Sequence, residues 1–231
     1  MSARSEGLHS PDDVRMLGDP ESASAAVVVL PGRGARAEPF LSRAGELAAR
    51  AGAAPGFAGA PVVVAPQASG GTWYPHSFLA PLERNQPWLD SALGVVVELS
   101  RRLAETGIPR DRQVLAGFSQ GACLACELIL REGGRWGGLA AFTGGRLGPL
   151  GEERSFEPHA GSLDDTPVLL SSGDPEPHVP FERVEETAGA LRELGAAVEV
   201  DRHPGRPHTV LPEELDRAVE VLGLARLLTG S

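Results

Sequence analysis

Apolar residues along this chain fall into short unbroken runs that alternate with longer stretches of helical spacing. Ala26–Leu30 and Val62–Ala65 are valine-rich and carry no polar residue in alternation. Such runs suit strands buried on both faces of a parallel sheet. Between them, Glu38–Ala53 places Phe40, Leu41, Ala44, Leu47 and Ala48 on one helical face, and a Gly/Ala/Pro loop, Gly52–Pro61, follows. Trp88–Thr106 predicts a long helix that closes near Gly107 and Pro109. The pattern then gives a strand at Gln113–Ala116, a helix at Ala122–Leu130 and strands at Leu139–Thr143 and Pro167–Ser171. A helix at Pro180–Leu194, a strand at Ala197–Asp201 and a last helix from Pro212 to about Leu228 complete it. Repeated βα units of this kind predict an α/β protein with a mainly parallel, doubly wound sheet and helices on both faces. Two stretches lack periodicity: Gly144–Asp165, and Gln67–Pro87, which holds Trp73, Tyr74, His76 and Phe78. Long aromatic loops of the second kind line functional surfaces. No repeat, linker or cap-sized insertion interrupts the order. Residues 26–231 therefore read as one domain with an open site, preceded by a polar extension over residues 1–25.

Composition narrows the function more than the fold. A length of 231 residues with 42% hydrophobic content suits one α/β domain with a sizeable core. A net charge of −10 argues against nucleic acid or an anionic membrane surface as a partner. Every basic side chain is arginine, as genome composition or a salty habitat would each produce. Met1–Pro20 contains no apolar run of signal-peptide length, and nothing approaches the roughly 18 apolar residues of a membrane span. The expectation is a soluble cytoplasmic protein with no membrane insertion; the pattern fixes no oligomeric state. Cys123 and Cys126 share one face of a predicted helix and read as small buried hydrophobes rather than a redox pair.

The chemistry concentrates in Gly117-Phe118-Ser119-Gln120-Gly121, a G-x-S-x-G run between a predicted strand and a predicted helix. A sharp strand-to-helix turn exposes the serine oxygen at the carboxyl edge of a sheet, beside a helix N-terminus that favours negative charge. A serine hydroxyl is a weak nucleophile and needs a histidine base oriented by a carboxylate. Doubly wound sheets collect working residues after their strands. After Pro167–Ser171 come Asp174 and Glu176; after Ala197–Asp201 come His203 and His208. Asp164 and Asp165 precede their strand and belong to the opposite edge. The order serine, acid, histidine is the hydrolase order. His208 is the candidate base and His203 its rival, while His9 and His159 sit in polar segments that read as solvated. His76, His178, His203 and His208 lack metal-ligand spacing, so neither a metal nor another cofactor is expected. Trp73, Tyr74, Phe78 and His178 are expected to line the substrate pocket, with core packing as the alternative for Trp73.

Those pieces together resemble the phospholipase/carboxylesterase family of α/β-hydrolases, which includes acyl-protein thioesterases. The matching residues are Gly117–Gly121, Gly173–Pro180 and Pro207-His208, with Leu30–Gly34 similar to the loop after the family's first strand and Trp73-Tyr74 to its tryptophan–aromatic pair. The resemblance implies an α/β-hydrolase without a large cap, acting as a serine hydrolase on small-molecule carboxylic esters or thioesters through an acyl-enzyme. Lysophospholipase or acyl-protein thioesterase would be the specific activities. It assigns Ser119 as nucleophile, His208 as base and Glu176 as acid with Asp174 as fallback. The amides of Arg33 and Gln120 would form the oxyanion hole. Two departures stand out: Glu176 where the family usually has aspartate, and Pro31 where it commonly has histidine. They support the alternative of a non-catalytic binding protein on a hydrolase fold.

Overall fold

The computed structural model describes residues 8–52, 61–159 and 161–223. Its strands are β1 (Val14–Leu17), β2 (Ala26–Leu30), β3 (Val62–Pro66), β4 (Gln113–Phe118), β5 (Gly138–Phe142), β6 (Pro167–Asp174) and β7 (Ala197–Pro204). They form one sheet in the order β1-β3-β2-β4-β5-β6-β7. β1 runs antiparallel to β3, and every other pairing is parallel. Every residue of β2, β3 and β5 is buried, as unbroken apolar runs demand when helices cover both faces.

Alternation along β2 shows how the two faces are filled. Ala26, Val28 and Leu30 pack with α2 (Trp88–Glu105), α3 (Gln120–Glu132) and α4 (Phe181–Glu193). Val27 and Val29 pack with α1 (Ala37–Gly52) and α5 (Pro212–Val221). Burying side chains of this size stabilises the fold by about 1.5–3 kcal/mol each. The doubly wound α/β-hydrolase architecture follows, and the described residues include no cap domain. None of the described helices is long and apolar enough to cross a membrane.

Three boundaries differ from the sequence reading. The expected polar extension contains β1, whose Met16 and Leu17 are 47% and 49% exposed. A short edge strand whose residues are only partly buried or exposed carries no clear apolar run to read. β6 and β7 each run three residues past the apolar segments that predict them, because the ladder continues through Ser172↔Arg202, Gly173↔His203 and Asp174↔Pro204. Their polar ends lead into the turns that carry Glu176 and His208. The last helix is described to Val221, and residues 224–228 of its expected span, like residues 53–60 of the expected loop, lie outside the described residues.

Candidate active site

Ser119 ends β4 and starts α3 with φ 53° and ψ −118°, a backbone conformation that non-glycine residues rarely adopt. Three contacts hold it there. Its N–H donates to the Phe142 carbonyl at 3.0 Å, tying the turn to the end of β5. A Cβ at Gly121 would lie 1.9 Å from the Leu30 carbonyl oxygen, and one at Gly117 would lie 2.5 Å from that of Gly121. Both flanking positions therefore exclude any side chain, and the close approach of strand, turn and helix depends on that. The result is a hydroxyl lifted above the carboxyl ends of β2, β4 and β5.

His208 follows β7 in the turn before α5, and its Nε2 lies 3.1 Å from Ser119 Oγ. Its Nδ1 lies 2.6 Å from Glu176 Oε1. The Glu176 side chain is fully buried and its other oxygen accepts the backbone N–H groups of His178 and Val179, at 2.9 and 2.8 Å. Burial pushes this carboxyl's pKa up, but those donors together with His208 outweigh burial and hold it below the ordinary range. A charged Glu176 accepting from Nδ1–H leaves Nε2 as the acceptor that faces the serine. Glu176 is thus the carboxylate that meets His208. Asp174, the fallback, sits on the ladder's last pair and accepts from Arg202.

The cavity in front of Ser119 has a volume of about 410 Å³ and is lined by Arg33, Tyr74, Phe78, Gln120, Cys123, His178 and His208, among others. Tyr74, Phe78 and His178 are among these lining residues. Trp73 is not: it is fully buried in the core, and its Nε1–H donates to the Pro31 carbonyl at 2.9 Å. An indole in a dry site needs a partner for that N–H, and this one finds it in the loop after β2. The Gln120 side chain accepts from the Trp73 N–H at 3.0 Å and donates to the Tyr74 carbonyl at 2.8 Å. Arg33 donates to the carbonyls of Tyr74, Pro75 and His76 at 2.9–3.0 Å. The sequence reading assigns backbone roles to both residues; their side chains, which it leaves unassigned, fasten the aromatic wall. Burial pushes the Cys123 thiol up to about 11, so it stands at the cavity wall as a protonated, unreactive group.

A second, apolar cavity of about 300 Å³ lies across the His208 ring, between α1 and α5, with Phe40, Ala44, Phe118 and Leu215 in its wall. The Phe118 and His208 ring centroids are 4.8 Å apart, and His178 meets the same imidazole edge-on at 4.7 Å. The imidazole is thus packed between two rings.

The remaining histidines sort clearly. His203 bonds to Ser171 rather than to Ser119. His9, read as solvated, is buried: its Nε2 faces the Trp73 carbonyl at 2.8 Å and its Nδ1 accepts the Ser69 N–H at 3.1 Å. Local polarity hid this, because its partners lie 60 or more residues away. His76 and His159 are exposed. Among the described residues no group of three or more His, Cys, Asp or Glu side chains is arranged to hold a metal ion.

Comparison with known proteins identifies the family. The profile of the phospholipase/carboxylesterase family matches residues 22–225. A solved phospholipase/carboxylesterase from Dyadobacter fermentans is 38% identical, covers 93% of this chain and 97% of its own, and superposes with a TM-score of 0.83. The solved esterase PE8 is 25% identical with a TM-score of 0.69, covering 93% of this chain and 97% of that one. The acyl-protein thioesterase 1 of Neurospora crassa is 30% identical over 54% of this chain and 51% of its own length. That of Gibberella zeae is 33% identical over 48% and 47%. The chain spans about half the length of the curated relatives it matches. With an elbow serine at the carboxyl edge of a seven-stranded sheet and a family profile that runs from before β2 to beyond α5, this chain belongs to the phospholipase/carboxylesterase family of α/β-hydrolases.

Proposed function

We propose that this protein is a serine hydrolase that cleaves carboxylic esters or thioesters through an acyl-enzyme. The observation that carries the reading is the unbroken chain of hydrogen bonds from Ser119 through His208 to Glu176. In the first half-reaction His208 Nε2 takes the Ser119 proton as Oγ attacks the acyl carbon. The carbonyl oxygen becomes an oxyanion, and the intermediate collapses as the imidazolium passes its proton to the departing alcohol or thiol. Water then attacks the acyl-enzyme by the same route, its proton going to His208 and from there to Ser119 Oγ. Glu176 fixes the tautomer and stabilises the imidazolium without taking the proton.

The oxyanion donors are the backbone N–H groups of Gln120 and Arg33. Gln120 is the first residue of α3, so its N–H has no acceptor within the helix. Among the described residues the Arg33 N–H donates to no carbonyl, and the loop that carries it approaches Ser119 closely: a Cβ at neighbouring Gly32 would lie 3.5 Å from that of Ser119. Such a donor is worth about 3–4 kcal/mol in the transition state. Pro31 leaves this arrangement intact, since its carbonyl is engaged by Trp73 and the donors come from its neighbours.

A fluorophosphonate probe should label the protein stoichiometrically, and Ser119→Ala should not be labelled. Labelling retained in that variant would sink the assignment. A series of p-nitrophenyl esters and acyl thioesters of increasing chain length then defines the substrate, with the open cavity at Ser119 admitting the short members.

A further inference from the structure

Arg206 lies two residues before His208 and is a buried cation, its side chain 1% exposed. One edge of its guanidinium, Nη1, donates to the carbonyls of Pro207 and Thr209, the two residues that flank His208. Nη2 donates to the hydroxyl of Thr143. Thr143 has φ 56° and directly follows Phe142, whose carbonyl accepts the Ser119 N–H. Nε lies 3.6 Å from the fully buried carboxylate of Glu214, which also accepts the Leu211 N–H at the start of α5. Gly173 leaves the room for this loop: a Cβ there would lie 3.0 Å from the Arg206 carbonyl oxygen and 3.6 Å from Glu176 Cγ. A single planar group therefore ties together the strand end that holds the serine, the turn that holds the histidine and the helix that follows. Only arginine offers donors in this fixed fork; a lysine ammonium is a point charge.

We propose that Arg206 is the positioning residue of the reaction, a buried guanidinium that clamps the His208 turn to the Ser119 elbow through Pro207, Thr209 and Thr143. The inference rests on the serine-hydrolase reading given above. A buried ion pair is a poor source of net stability, because desolvation offsets its Coulomb gain. What a fork bonded through both Nη groups supplies here is a fixed path between nucleophile and base. Small displacements of catalytic groups by a distant change cost up to about 100-fold in rate.

Arg206→Met alone strands the Glu214 carboxylate in the core, so the test uses Arg206→Met/Glu214→Gln, with Thr143→Ala as a milder second variant. Two readouts are taken on each. The first is kcat and KM on a short p-nitrophenyl ester. The second, taken in the Ser119→Ala background, is the low-field proton resonance of His208 Nδ1–H, assigned by its loss in Glu176→Ala. The double variant should lower kcat by about 10- to 100-fold with KM within twofold, and should shift or broaden the imidazole resonance. Thr143→Ala should lower kcat by about three- to tenfold with a smaller change in the resonance, and decides the matter if the double variant does not fold. The proposal is overturned by an unaltered resonance, whether or not kcat falls, and equally by kcat that stays at the parent value. If the parent protein turns over no ester, the hydrolase reading fails while the resonance still reports whether Arg206 sets the imidazole.

Discussion

Two clusters of serine, histidine and glutamate lie at the carboxyl edge of this sheet, and only one has the wiring of a nucleophile. In the first, histidine stands in the middle: Ser119 bonds to His208 and His208 to Glu176. In the second, serine stands in the middle: the Ser171 hydroxyl donates to Glu214 and meets His203 Nε2 at 3.0 Å. A hydroxyl whose proton is already given to a carboxylate cannot pass it to an imidazole, so His203 serves as donor to Ser171 Oγ. The backbone differs as well. Ser119 sits on a strained turn facing a cavity, whereas Ser171 lies within β6 and is 1% exposed. Glu214 is neutralised from the other side by Arg206. Residue types therefore do not make a catalytic site; the order of connection and the backbone that presents them do.

The sharpest way to break the comparison is to delete each serine. Ser119→Ala should lower kcat on a short ester by at least about 1,000-fold, while Ser171→Ala should leave it within about threefold. Equal losses would mean that the second cluster takes part in chemistry. Next come the carboxylates. Glu176→Gln should cost about 100- to 10,000-fold in kcat, because the amide no longer enforces the tautomer or stabilises the imidazolium. Glu214→Gln should instead lower stability, by about 1–3 kcal/mol in denaturant unfolding, since it removes the charged partner of a buried guanidinium.

The pH dependence sharpens the contrast further. Glu176 is held below its ordinary value of about 4.5 in the folded protein. Its contribution to stability is therefore complete above that value and is lost as pH falls through the lower folded one. Glu176→Gln should erase this part of the acid unfolding curve. The smallest effect belongs to His9. Burial lowers its pKa below about 6.5, only partly opposed by its bond to the Trp73 carbonyl. The unfolded chain then binds the extra proton, so stability is present above 6.5 and drains as pH falls through the folded value. The stability gap between the parent protein and His9→Gln should narrow over that window, and a gap that widens on acidification would show that the ring is charged in place.

Legibility in the sequence followed burial. β2, β3 and β5 are wholly apolar and fully buried, and their positions can be read within a residue or so. β1 escapes notice because Met16 and Leu17, on an edge strand, stay about half exposed. The elbow can be named because a tight turn must follow its strand; strand order narrows the acid to Asp174 or Glu176 and the base to His203 or His208, and the family resemblance points to Glu176 and His208. Arg206 could not be named, since an arginine in a polar turn looks solvated until its carbonyl acceptors are located in space. Trp73 and His9 were hidden for the mirror-image reason. The sequence leaves Trp73 between pocket wall and core and reads His9 as solvated, yet each fills a buried slot whose other side is built from distant chain: Pro31 for the indole, Ser69 and Trp73 for the imidazole.

The glycine pair around Ser119 sets what a protein engineer can exchange here. Because Gly121 presses against the Leu30 carbonyl and Gly117 against Gly121 itself, the scaffold is intolerant at both flanks, whereas the side chain at position 119 faces a cavity. Swapping the oxygen for sulfur would re-tool the warhead on an unchanged mount, whereas adding one methyl group to either neighbour would dismantle the mount.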